Sequence, residues 1–127
     1  MKEFISVKYP STCLFGRSGE KMAEMYLKKE NFQIIARNFR FLKGEIDIIA
    51  LDQECLVFIE VKTRTKDTFG FPEEFVSRSK QKQIRRVAEG YLMLNPPEER
   101  QCRFDVIAIT VEDTGQTVLQ HFKNAFE

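Results

Sequence analysis

Two rhythms of apolar residues run along this chain and divide it into helices and strands. Residues 1–16 show neither, because charges interrupt the apolar positions without a regular period. A helical pattern then fits residues 18–30. Ser18 is placed to cap its first turn, and Asn31 tolerates the left-handed conformation that ends a helix. Three runs rich in Ile, Val and Phe follow, residues 33–41, 45–51 and 56–64, punctuated by Gly44 and the polar segment 52–54, as strands separated by turns would be. A loop over residues 65–75, containing Gly70 and Pro72, leads to a second helical stretch, residues 79–94. Lys80, Ile84, Val87 and Tyr91 line up along it, and Asn95-Pro96-Pro97 closes it. Residues 103–111 read as a fourth strand, and 117–122 as a weaker fifth after the turn at Asp113-Thr114-Gly115. The order α-β-β-β-α-β, with the weak strand last, predicts one α/β domain over residues 1–127. Its mixed central sheet would be flanked by helices, with residues 1–16 irregular.

The second and third strands can be aligned by their own chemistry. In a hairpin turning at Gln53-Glu54, Leu51 faces Leu56, Ile49 faces Phe58, Asp47 faces Glu60 and Glu45 faces Lys62. The other face then holds Ala50 with Val57, Ile48 with Ile59, and Ile46 with Val61, all apolar. A slip of one residue would mix the faces, which a half-buried sheet resists. A slip of two would keep them and stays open, because Gln-Glu is a poor tight-turn pair. In this register Glu45, Asp47, Glu60 and Lys62 share the face of Ile49 and Phe58.

Directly opposed side chains have Cβ atoms about 5 Å apart. Two carboxylates at that distance repel by about 3 kcal/mol at an effective dielectric of roughly 20. A divalent cation converts this repulsion into coordination, and oxygen ligands suit magnesium. The alternative is a cluster of structural ion pairs, common on solvent-facing sheets. Two further charges favour a site. Glu20 projects close to Leu27 and Ala23, on the stripe of the first helix that should face the sheet, and Lys80 is on the corresponding stripe of the second.

Composition narrows the partner. Twenty basic residues against nineteen acidic give a net charge of +1, so bulk charge cannot coat nucleic acid and any basic surface must be local. The stretch from Phe75 to Ala88 carries Arg78, Lys80, Lys82, Arg85 and Arg86 and no acid; the alternative is a solvated helix face. No apolar run is long enough to span a membrane, and the first ten residues lack the continuous apolar core of a secretory signal. The three cysteines, Cys13, Cys55 and Cys102, have no paired spacing, and His121 is the single histidine. Free thiols in a reducing cytoplasm are the expectation, without a zinc site.

Phosphodiester hydrolysis needs charge neutralised on the phosphate, a nucleophile and a stabilised leaving oxygen. A Mg2+ or Mn2+ ion held by Asp47 and Glu60 would meet the first two needs, with Lys62 orienting the attacking water and Glu20 completing the catalytic set. Lys80, Arg85 and Arg86 would contact the phosphate backbone.

The spacing Asp47–x12–Glu60–x–Lys62 resembles the PD-(D/E)xK signature of restriction-endonuclease-like proteins. A fuller set resembles the YraN family of small bacterial proteins: Gly19-Glu20, Ala23, Tyr26-Leu27, Arg37-Asn38, Gly44-Glu45-Ile46-Asp47, residues 57–64, Phe69-Gly70, Lys80, Tyr91-Leu92 and Arg103-Phe104-Asp105-Val106. The likeness runs from about Gly16 to Ile109. It implies a restriction-endonuclease-like fold close to archaeal Holliday-junction resolvases, where an acid in the position of Glu20 joins the strand carboxylates. Arg64, at the end of the third strand's motif, joins the expected nucleic-acid contacts. Ile46 stands where the nuclease signature has proline, a position at which the YraN pattern has a hydrophobic residue.

The expected protein is thus a cytoplasmic, Mg2+-dependent endonuclease on structured, branched DNA, with homodimerisation suggested by two-stranded cleavage. The alternative is a non-catalytic nucleic-acid-binding or adaptor protein that keeps the fold. Arg103 and Asp105 read equally as a structural ion pair or a substrate-contacting rim, and His121 as incidental.

Overall fold

The structure is a computed structural model and describes residues 3–9, 19–65, 76–96 and 100–127. The elements run β1 (Glu3–Tyr9), α1 (Gly19–Lys29), β2 (Gln33–Phe41), β3 (Gly44–Asp52), β4 (Cys55–Thr65), α2 (Arg78–Leu94), β5 (Cys102–Val111) and β6 (Thr117–Phe126). All six strands form one sheet in the order β1-β6-β5-β4-β3-β2. Only β4 and β5 pair in parallel, across the connection that carries α2, so the sheet is mixed as expected. No helix among the described residues is long and apolar enough to cross a membrane.

Helix boundaries follow the anticipated chemistry. Asn31 takes a left-handed φ of 68° just past α1, and the Phe32 amide donates back to the Leu27 carbonyl at 2.9 Å. Helix α2 starts one residue early, because Ser77 rather than Ser79 is its cap, accepting from the Lys80 amide at 3.2 Å. Asn95 closes it, its amide donating to the Tyr91 carbonyl at 3.0 Å. Ser18, Cys13 and the loop glycine and proline at 70 and 72 lie outside the described residues.

Two expectations need correction. Residues 1–16 are not irregular throughout: Glu3–Tyr9 is an edge strand paired antiparallel with β6 from Glu3↔Lys123 to Tyr9↔Thr117. It alternates exposed Phe4, Ser6 and Lys8 with half-buried Ile5, Val7 and Tyr9, a period-two signal that is weak because it is short and Phe4 puts an aromatic on the other face. Strand β6 also runs on to Phe126, which pairs with Phe104 of β5, instead of ending at Phe122.

Each face of the sheet buries its own core. Met22, Ala23, Tyr26 and Leu27 of α1 pack on Ile48, Val57, Ile59, Ile107, Ile109 and Leu119. Ile84, Val87 and Ala88 of α2 pack on the opposite face with Ile46, Ile49, Leu56, Phe58 and Val106. Each such fully buried aliphatic or aromatic side chain contributes about 1.5–3 kcal/mol.

The β3–β4 hairpin has the expected register: Asp52↔Cys55, Leu51↔Leu56, Ala50↔Val57, Ile49↔Phe58 and Ile48↔Ile59. The two-residue turn is made possible by Gln53, which adopts a left-handed φ of 57°. Beyond Ile48↔Ile59 the strands part. Strand β4 continues along β5, with Glu60↔Val106 and Lys62↔Ala108. The first half of β3 stays instead with β2, through Phe39↔Ile46 to Phe41↔Gly44.

The sheet therefore forks at Asp47 and Glu60, and α2 holds the β2–β3 arm. Gln83 donates to the Lys43 carbonyl at 3.2 Å, Phe39 meets Tyr91 edge-on, and Gly90 lies so close to Phe41 that an added Cβ would be 2.4 Å from the ring.

At the fork the arm also changes faces. Ile48 belongs to the α1-side core, yet Ile46 lies in the α2-side core with Ile49. Simple alternation would put Ile46 and Ile48 on the same face, as the residue pattern predicts. The partner strand does the same: Arg37 meets Glu24 of α1, while Phe39 packs on the α2 side. Both reversals fall between the pairs Arg37↔Ile48 and Phe39↔Ile46, at Asn38 and Asp47. Asn38 has the left-handed φ of 50° that accommodates the extra turn.

Candidate metal centre

Asp47 and Glu60 come together at this fork by different routes. Glu60 keeps the face of Phe58 and is 6% exposed. Asp47, at the reversal, lies between the faces, and its Oδ2 accepts the Val61 amide at 2.8 Å. Continued pairing would have given that amide to the Ile46 carbonyl. The carboxylate thus replaces a ladder bond and stabilises the end of the pairing, because a buried N–H left without an acceptor costs about 1–3 kcal/mol. The expectation that Asp47, Glu60 and Lys62 sit on one flat face is corrected accordingly. The two acids meet in a gap between strands that both helices flank.

Electrostatics mark the pair as crowded. Burial and then the charge of Asp47 push the Glu60 carboxyl up to about 7. Asp47 is also raised, chiefly by burial, although the Val61 amide and a hydrogen bond with Glu60 act against that rise. Lys80 of α2 places its Nζ 3.8 Å from Glu60 Oε2, where the stripe on α2 predicted it. The charge of Lys62 also acts on Glu60, more weakly than that of Lys80.

Glu20 approaches from the other side, at the start of α1. Asn38 Nδ2 donates to its Oε1 at 2.8 Å, and Glu20, Glu24, Arg37, Asn38 and Asp47 line one shallow pocket. Among the described residues, no three His, Cys, Asp or Glu side chains are gathered closely enough to hold a metal ion, so Glu20 stands near the pair without joining it.

The pair fits a hard divalent cation. Its donors are carboxylate oxygens, and burial together with their mutual repulsion raises the proton affinity of Glu60. Magnesium is commonly held by one or two carboxylates, the remaining positions falling to water and substrate phosphate.

The expected nucleic-acid contacts divide. Lys80 is at the fork. Arg64 follows Lys62 along β4 on the same parity, half-buried. Arg86 is exposed, and Arg85 donates to the main-chain carbonyl of Glu127 at the far end of β6.

Arg103 and Asp105 form a structural ion pair, and His121 is far from incidental. Asp105 and His121 are fully buried. Asp105 takes Arg103 Nε at 2.9 Å and Nη2 at 3.1 Å, His121 Nε2 at 2.7 Å and the Asn124 amide at 3.0 Å. His121 Nδ1 meets the Tyr26 hydroxyl at 2.9 Å, and Arg103 also reaches Asp52 at 2.9 Å. Burial would raise the Asp105 carboxyl, but its bonds to His121 and Arg103 hold it below the ordinary range. This network ties α1 to β5 and β6, and nothing in a lone histidine's sequence context announced it.

Asn38 and the Val61 amide are the site features that residue-by-residue reasoning passed over. The sequence did carry a signal for the first: Phe39 and Phe41 are out of phase with Ile34 and Ala36, with an asparagine between.

Residues 19–109 match the profile of an uncharacterised protein family, UPF0102. A UPF0102 protein of Chlorobium chlorochromatii is 43% identical over 121 residues, covering 91% of this chain and 93% of its own. One from Chlorobaculum tepidum is 47% identical over 116 residues, with 87% and 90% coverage. One from Geotalea daltonii is 45% identical over 112 residues, with 88% of each chain covered.

Proposed function

The chain belongs to the uncharacterised protein family UPF0102, in keeping with its YraN-like motifs, and we propose that it is a Mg2+- or Mn2+-dependent endonuclease acting on structured DNA, on a restriction-endonuclease-like fold. One observation carries this reading: the buried Glu60 carboxylate and the half-buried Asp47 carboxylate share the end of a broken strand ladder, with Lys80 in an ion pair with Glu60.

Asp47 and Glu60 would hold the ion. When bound there, it supplies Lewis acidity and positive charge to a phosphodiester. The chain's own groups do the rest. The Val61 amide fixes one oxygen of Asp47, so the other is free to point into the gap. Lys62, two residues beyond Glu60, is placed to orient a water and to stabilise developing negative charge. Glu20 bounds the gap on the α1 side and adds negative charge there. Lys80, one side chain from Glu60, can exchange that carboxylate for a substrate phosphate once a metal takes its place. Arg64, Arg85 and Arg86 supply further positive charge for the backbone, and two-stranded cleavage would require a second copy of the chain.

The test is incubation with Mg2+ or Mn2+ and linear, flapped or four-way DNA, comparing wild type with Glu60→Ala. Metal-dependent cutting abolished by the substitution is expected. Salt-sensitive DNA binding without cutting would select the adaptor role, and neither binding nor cutting would end both.

A further inference from the structure

We infer that Asn38 is a positioning residue of this site, holding the Glu20 carboxylate beside Asp47. The inference rests on the reading of Asp47 and Glu60 as a divalent-metal pair and goes beyond it, because it names the residue that aims the neighbouring Glu20 carboxylate, which lines the same pocket as Asp47.

Four observations converge. Asn38 sits opposite Asp47, where β2 and β3 both reverse their faces. Its φ of 50° is left-handed, a conformation that asparagine adopts at less cost than most residues. From there its amide reaches Glu20 Oε1 at 2.8 Å. Glu20, Asn38 and Asp47 line the same pocket.

The bond is not what docks the helix. Helix α1 is held by buried Met22, Ala23, Tyr26 and Leu27 and by the Arg37–Glu24 ion pair. Without Asn38 the helix would stay, but Glu20 would regain the rotamers of a long side chain at a helix start. Glutamate is among the side chains that lose most conformational freedom when fixed, so an orienting donor matters there. The face reversal thus does two things with one pair of residues. On β3 it turns Asp47 into the fork, and on β2 it turns Asn38 toward α1, so that the acids from strand and helix are set by the same kink.

The discriminating variant is Asn38→Gly, which keeps the left-handed backbone and removes only the amide. Calorimetric titration with Mn2+ would be run on wild type, Asn38→Gly, Glu20→Gln and the double variant, alongside thermal melts to show that each is folded. Loss of an outer partner of a metal site commonly weakens binding by at least about tenfold. Asn38→Gly should therefore weaken Mn2+ binding by roughly tenfold in the wild-type background and less than about twofold when Glu20 is already Gln. A merely structural role would weaken binding equally in both backgrounds, and that result overturns the assignment, as does no weakening in either. If wild type itself takes up no Mn2+, the metal-pair reading fails and Asn38 loses its role with it. Uptake by wild type that is indifferent to Asn38→Gly sinks the positioning role alone.

Discussion

Replacing Glu60 by Gln should stabilise the protein at alkaline pH and remove its metal response. Burial and the charge of Asp47 lift the Glu60 carboxyl from 4.5 to about 7, so the folded state holds this proton more tightly than the unfolded chain. The sign follows from linkage. The contribution of the protonated carboxyl is fully present below the ordinary glutamate range, and it is lost as pH rises through about 7. A tenfold change in proton affinity is worth about 1.4 kcal/mol, so ionised Glu60 costs the fold on the order of 3 kcal/mol. Glutamine has the same shape and no charge to bury. Part of the gain is offset because Lys80 loses its carboxylate partner, which leaves about 1–3 kcal/mol. Urea unfolding of wild type and Glu60→Gln at about pH 4.5 and pH 8.5 measures it. The variant should gain little at the lower pH and clearly more at the higher one. Mg2+ added at the higher pH should then raise the urea midpoint of wild type alone. A variant no more stable than wild type at pH 8.5 would mean that the two carboxylates are not crowded, and the case for a cation between them would go.

Asp47→Ala should cost about 1–3 kcal/mol by stranding the Val61 amide, whereas Asp47→Asn, which keeps an acceptor oxygen, should cost less; equal melting points for the two would contradict the fork's stated anchor. Gly90→Ala should destabilise by about 1–3 kcal/mol, despite the better helix propensity of alanine, because its methyl would collide with the Phe41 ring; a stabilised variant would show that α2 does not clamp the β2–β3 arm. Asp105→Asn should cost about 3–5 kcal/mol by leaving the buried ends of Arg103 and His121 without their carboxylate. Because the Asp105 carboxyl is lowered, its contribution is present above the ordinary carboxylate range and is lost as pH falls through the lowered value. Acid unfolding followed by circular dichroism should show wild type losing that advantage as pH falls below the ordinary carboxylate range, and curves that stay parallel throughout would count against it.

Much of the central sheet was legible because its strands are written in alternating apolar and polar positions. The ends of β2 were read as observed, and the β3–β4 register followed from keeping charge off an apolar face. What stayed hidden depends on partners distant in sequence. Strand β1 offers only the short apolar alternation Ile5, Val7 and Tyr9, and its partner β6 is more than a hundred residues away. His121 acquires meaning from Tyr26 and Asp105, ninety-five and sixteen residues away. The contiguous run Ile46 to Leu51 conceals its own kink, since with apolar residues on both sides of Asp47 no change of phase can be seen. Only β2, with aromatic positions that shift at Asn38, betrays the reversal. The approach of Asp47 to Glu60 could be read from the hairpin register, but the shape of the gap between them could not.

Strand β2 is an outer edge of the sheet, and exposed edges are where proteins invite unwanted strand addition by neighbouring molecules. Its ladder is disturbed between Ile34 and Ala36 and bent again at Asn38, so no long flat stretch remains for a foreign strand to copy. The distortion that turns Asp47 toward Glu60 on the inner side therefore guards against aggregation on the outer one, and straightening it should yield a protein prone to precipitate.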